Sequence, residues 1–248
     1  MKRFFTGMLS LAVLATLSVA VHAQSSSRDE VLKDIAAKRA ELQQLEDRFL
    51  SPAAEDRAAY KEFLGQLDTG LIRLLPREVY ESEAYKKNQK TLTIRGGGAF
   101  YSFARLTHEY GLGSDLMLDA GYLSVPAPGA GYGMMIDLGD VSLDEITKDY
   151  PTARALAAYE AVTDEPHARV EQRQIQAGRI LDGATYKSRL PLKLGTTFLL
   201  RSIDYDDTDV LVAFRTVRQD TDGSVIIAWK LLKRFPRPEL VRTVQAAN

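Results

Sequence analysis

A chain of 248 residues with 32 lysines and arginines against 33 aspartates and glutamates carries a formal charge of −1. It lacks the positive excess that binding a phosphate backbone requires, so no nucleic-acid partner is expected. It has no cysteine, which excludes disulfides, thiolate metal sites, a cysteine nucleophile and a lipid-modified cysteine.

The first 23 residues have the pattern of a secretory signal peptide: basic Lys2 and Arg3, an apolar run from Phe4 to Val21, and Val21-His22-Ala23 before a cut at Gln24. No later segment has comparable apolar length, so a periplasmic or secreted protein is expected, with no membrane contact after cleavage. Losing residues 1–23 removes Lys2 and Arg3 and no acid. Thirty basic side chains then stand against 33 acidic ones, and the charge becomes −3.

Residues 24–90 read as a helical hairpin arm. Val31, Ile35, Leu42, Leu45 and Phe49 recur at a spacing near 3.5, with Lys38 at the seam position that breaks the series. Ser51-Pro52 suits a helix start. Tyr60, Phe63, Leu64, Leu67, Leu71 and Leu74 give a second helix its apolar face.

From residue 91 the texture turns to strands. Phe100–Leu106, Asp115–Leu123 and Tyr132–Leu138 form a first meander over 91–141, with glycine and proline in the turns. Ser142 and Glu145 make a capping box, and helices are expected in 142–176, at 151–162 and 167–176 among them. A second meander over 177–235 has strands at 197–204, 209–218 and 224–232. Asp222-Gly223 is read as a two-residue hairpin turn that pairs Phe214 with Leu231, Thr216 with Trp229 and Arg215 with Lys230. The fold class is therefore α+β: a helical hairpin, then a β-rich body of two antiparallel meanders, in a barrel or sandwich, with helices between them.

Few residues suggest chemistry. His108, beside a glycine-rich turn, has the type of a general base, with Glu109 or Asp115 to orient it. No serine sits in a Gly-x-Ser-x-Gly context. Asp204, Asp206, Asp207 and Asp209 crowd one loop and are the oxygen ligands calcium prefers, although aspartates also suit turns for their own backbone hydrogen bonds. The glycine runs match no nucleotide fingerprint, and no cofactor is expected. Residues 91–150 hold eight acids, three basic residues and seven aromatics. Phe100, Tyr101, Tyr110, Tyr122 and Tyr132 are the candidates for an acidic aromatic binding face.

These features favour an exported, non-enzymatic protein that binds or assembles, through a protein partner or a second copy along residues 28–75. The alternative is a cell-envelope hydrolase with His108 as base.

Overall fold

The structure, a computed structural model, describes residues 7–79, 98–108, 113–126 and 129–241, with arm side chains from Ser27 onward. Lys2, Arg3, Glu109 and Tyr110 lie outside the described residues. The chain divides into two compact units, Met1–Phe49 and Leu50–Asn248.

The first unit is one helix, α1 (Gly7–Leu50), whose 44 residues reach about 66 Å. Its charged residues and apolar stripe suit a solvated helix. Val31, Leu32, Ile35, Leu42, Leu45 and Phe49 are all exposed, at 40 to 55% of their full area. Among the described residues no helix is long and apolar enough to cross a membrane.

The second unit is α+β, with antiparallel sheets and helices. Its centre is a five-stranded sheet in the order β1 (Thr69–Leu74), β11 (Val225–Arg234), β10 (Thr208–Gln219), β9 (Thr197–Asp204) and β5 (Tyr132–Gly139). The middle strands are buried on both faces, so they read as nearly continuous apolar runs. Alternation then sorts the side chains between two cores. Phe198, Leu200, Val210, Val212, Phe214, Ile227 and Trp229 face a second, four-stranded sheet. That sheet runs β2 (Phe100–Tyr101), β3 (Leu116–Asp119), β4 (Tyr122–Ser124) and β8 (Arg189–Pro191). Leu199, Ile203, Leu211 and Ala213 face the other way, toward α4 (Pro151–Ala158) and α5 (Glu165–Ala177). The hairpin β6 (Arg179–Leu181) and β7 (Ala184–Tyr186) follows α5. Both sheets contribute side chains to the first core, and among the described residues neither closes into a barrel.

Several expectations are corrected. The second helix of the arm does not form as a unit. Two short helices, α2 (Ala54–Ala59) and α3 (Lys61–Leu64), are followed by β1 as an edge strand of the central sheet. Asp68, at a φ of 57°, turns the chain out of the helical path. Gly70 packs flat against the Trp229 indole, where an added Cβ would come within 2.5 Å of the ring. Residues 69–74 thus satisfy the edge of β11, and tertiary pairing overrides the helical spacing. The expected strand Asp115–Leu123 is instead the β3–β4 hairpin. Ala120 and Gly121, at φ of 48° and 74°, supply the two left-handed positions of a tight turn. β5 leaves the expected first meander and pairs with β9. Ser142 makes a local turn, its hydroxyl accepting from the Asp144 N–H at 3.3 Å, and no helix starts there.

The last hairpin keeps its expected strands with a different register. Its loop has three residues: Asp220 N–H donates to Ser224 O at 2.8 Å and Gly223 N–H donates to Asp220 O at 3.0 Å, with Gly223 at a φ of 85°. A bulge between Thr216 and Arg218 then slips the pairing once more, so Phe214 lies opposite Trp229 and Arg215 opposite Ala228. Two one-residue slips leave the faces as expected and separate Arg215 from Lys230.

Candidate functional site

A buried polar cluster gathers around Asp115, with partners from the turn after β2 and from β9. The chain pairs as β2 for only two residues and then turns through 102–107. Asp115 is what makes that turn possible. Its Oδ2 accepts the Phe103 N–H at 2.7 Å, the Ala104 N–H at 3.2 Å and the Ser102 hydroxyl at 3.3 Å. Backbone groups that would lack strand partners are thereby satisfied. Burial raises the Asp115 carboxyl, and hydrogen bonds led by Ser202 from β9 pull against that rise. Tyr101 is pushed up to about 12 by burial and by the Asp115 charge.

His108 follows this turn. Its ring meets Tyr101 edge-on with centroids 5.2 Å apart, and its Nε2 lies 2.8 Å from the Arg73 carbonyl oxygen of β1. Only a protonated Nε2 can make that bond, because a carbonyl oxygen accepts and does not donate. In the neutral ring the proton therefore sits on Nε2, and that nitrogen is not a base. His108 acts here as a pin between the turn and the edge strand.

The aspartate loop after β9 is divided among different duties. Asp209 forms a two-pronged ion pair with Arg201, at 3.0 Å and 2.8 Å, with both side chains only 3% exposed. The same guanidinium donates to the Leu156 carbonyl at 2.6 Å and to the Tyr159 carbonyl, which caps the end of α4, and the Phe235 ring lies 3.8 Å from it. Asp207 pairs with Arg105 from the 102–107 turn. Asp206 takes a φ of 63° and its N–H donates to Pro238 O at 2.8 Å. Two of the four calcium candidates are thus bound to arginines. Among the described residues no group of three or more acids or histidines is arranged to hold a metal.

Asp204 differs from its neighbours. Burial, with the Asp207 and Asp115 charges adding to it, raises its carboxyl to about 6, against the pull of Arg105. A folded-state value above the unfolded one means that the folded chain holds the proton more tightly. The stabilising effect is full below the unfolded value near 4 and is lost as pH rises through about 6. Asp204→Asn is therefore expected to raise the melting temperature at pH 7.5 and to leave it nearly unchanged at pH 4. Solvent screens part of the penalty at this half-buried site, so the gain is roughly 2–4 °C, what about 1 kcal/mol gives a domain of this size. Calorimetry across pH 4 to 8 checks it, and a parallel pair of curves would contradict it.

The aromatic face is corrected as well. Phe100, Tyr101 and Tyr132 are buried at 5%, 6% and 1% exposure, Tyr101 in the first core and Tyr132 in the second. Tyr132 sits in a hydroxyl network, 2.9 Å from the Tyr159 hydroxyl and 3.3 Å from that of Tyr205. Tyr122 alone among the described candidates is exposed, and the Arg189 guanidinium covers its ring at 4.0 Å.

No protein-family model, no curated protein and no solved structure matches the chain. Sequence reasoning missed Arg201 and Ser202, and it named Asp204 only as a calcium ligand. A signal for the first was present, since an arginine inside Phe198–Ile203 is flanked by core residues and must find a buried anion.

The arm carries exposed apolar side chains in a row. Its apolar stripe runs Val31, Ile35, Leu42, Leu45 and Phe49, with exposed Leu32 beside it. Lys38 sits in the seam, its ammonium 3.3 Å from Glu41.

Proposed function

We propose that this is an exported protein, periplasmic or secreted, that works by binding or assembly without catalysis, with the α1 segment 28–49 as its contact element. One observation carries this reading: apolar side chains at coiled-coil spacing stand exposed along about 27 Å of helix. Single exposed apolar residues need no explanation, but an ordered row on a rigid helix is a surface that water penalises and a second helix would cover. The contact region is shorter than 28–75, because residues 69–74 belong to the central sheet. Tyr122, with its arginine cover, is the aromatic that remains for a contact on the body.

The hydrolase alternative has less behind it. His108 spends Nε2 on a backbone carbonyl, and Asp115 is occupied by three hydrogen bonds that hold its turn.

The test is a photo-reactive side chain placed at Leu42 or Leu45, compared with one at Tyr122, in cells that export the protein. Discrete adducts from the arm positions, of any partner mass, support the reading. Adducts from Tyr122 alone, or from none of the three, overturn it.

A further inference from the structure

Resting on the binding reading above, we propose that the arm's stripe is covered by the same stripe of a second copy of this chain. The borders of the stripe favour a like partner. Asp34, Glu41 and Arg48 run along one side, and Arg39 and Glu46 along the other. Residues 28–49 carry five basic and six acidic side chains, so two such arms meet without net repulsion. A partner of one strong charge would find no complement here.

The pairing geometry supports the same occupant. In a parallel pair, Asp34 reaches Arg39 of the second copy. In an antiparallel pair it reaches Arg48 of the second copy. Glu41, which would meet an acid in either arrangement, is already held by Lys38 of its own helix. The apolar rows match because they are identical: Val31, Ile35, Leu42 and Leu45 supply the knobs and the holes of both helices. Three heptads with a lysine in the seam make a short and weak coil. The association is therefore reversible and concentration-dependent, and Lys38 sets its strength.

The experiment is sedimentation equilibrium of residues 24–248 over a concentration series. Neither core contains a residue before Tyr60, so removing the leader leaves both intact. The expected result is a reversible monomer–dimer equilibrium. Leu42→Asp with Leu45→Asp is expected to abolish the dimer without changing the body's melting temperature. Lys38→Leu completes the seam and is expected to tighten the dimer at least about tenfold. A wild-type monomer across the whole series overturns the proposal, as does a dimer that survives the double aspartate variant. In the first case, adducts from Leu42 to a different protein in the cell would leave the binding reading standing while removing the second copy as partner.

Discussion

Asp209→Ala is expected to lower the melting temperature by roughly 10 °C. The substitution strands the Arg201 guanidinium, 3% exposed, in the core beneath the helices. Removing one member of a buried ion pair typically costs about 3–5 kcal/mol, because the remaining charge is neither solvated nor matched. At about 2–4 °C per kcal/mol for a domain of this size, the loss is conspicuous. Replacing both partners, Arg201→Met with Asp209→Leu, is expected to cost less than Asp209→Ala, since no charge is left behind. It will not be neutral. Arg201 also donates to the Leu156 and Tyr159 carbonyls, and those acceptors at the end of α4 would lose their donor. Thermal unfolding of the three variants checks the order, and an Asp209→Ala protein as stable as wild type would show the pair to be dispensable.

The second large effect concerns where the body begins. A chain of residues 50–248 is expected to be soluble and to unfold in one cooperative transition. A chain starting at residue 91, the boundary suggested by the sequence, is expected to lose that transition and aggregate. The longer form retains β1, whose six residues pair with β11 and whose Ile72 and Leu74 are 5% and 0% exposed. Burying each of those side chains contributes about 1.5–3 kcal/mol. Losing both, together with a whole strand of pairing, removes an amount comparable to the 5–15 kcal/mol that holds a typical domain folded. It would also uncover β11 as an unpaired edge, and exposed edges recruit other chains. Circular dichroism and melting of the two purified chains decide it. A folded 91–248 would mean that β1 is an accessory strand.

The β9–β11 meander was legible because consecutive strands of the right length are separated by turn residues. Thr197–Asp204 coincides with β9, and Pro151 marks the start of α4. The α5 helix was expected only at 167–176; the Asp164 cap and Pro166, signals that went unread, start it two residues before His167. β1 was not legible, because Leu64, Leu67, Leu71 and Leu74 fit a helical face as well as a strand. The decision came from Trp229, 159 residues later, which requires the bare backbone of Gly70. The β3–β4 turn was missed because Ala120 in a left-handed conformation gives no compositional signal. For the candidate site, residue types identified Asp115 and His108 as unusual, but their duties depend on long-range partners. Asp115 serves backbone groups 11 and 12 residues away, and His108 serves a strand 35 residues away. The stripe on α1 was legible in full, since a solvated helix is governed by its own spacing.

The final hairpin also limits how its length can change. The three-residue loop alone would set Phe214 across from Lys230 and turn Trp229 away from the first core; the extra residue at Val217 restores the phase. Thr221 and Val217 are both extra to the ladder: with either one removed, Asp220 still faces Ser224, Arg218 still faces Ile226 and Phe214 still faces Trp229. Removing both would return a two-residue Asp222-Gly223 turn with the native Phe214–Trp229 pairing. Length changes are absorbed at the loop and at the bulge, whereas a one-residue deletion inside the paired stretch Phe214–Thr216 would turn Phe214 away from the first core.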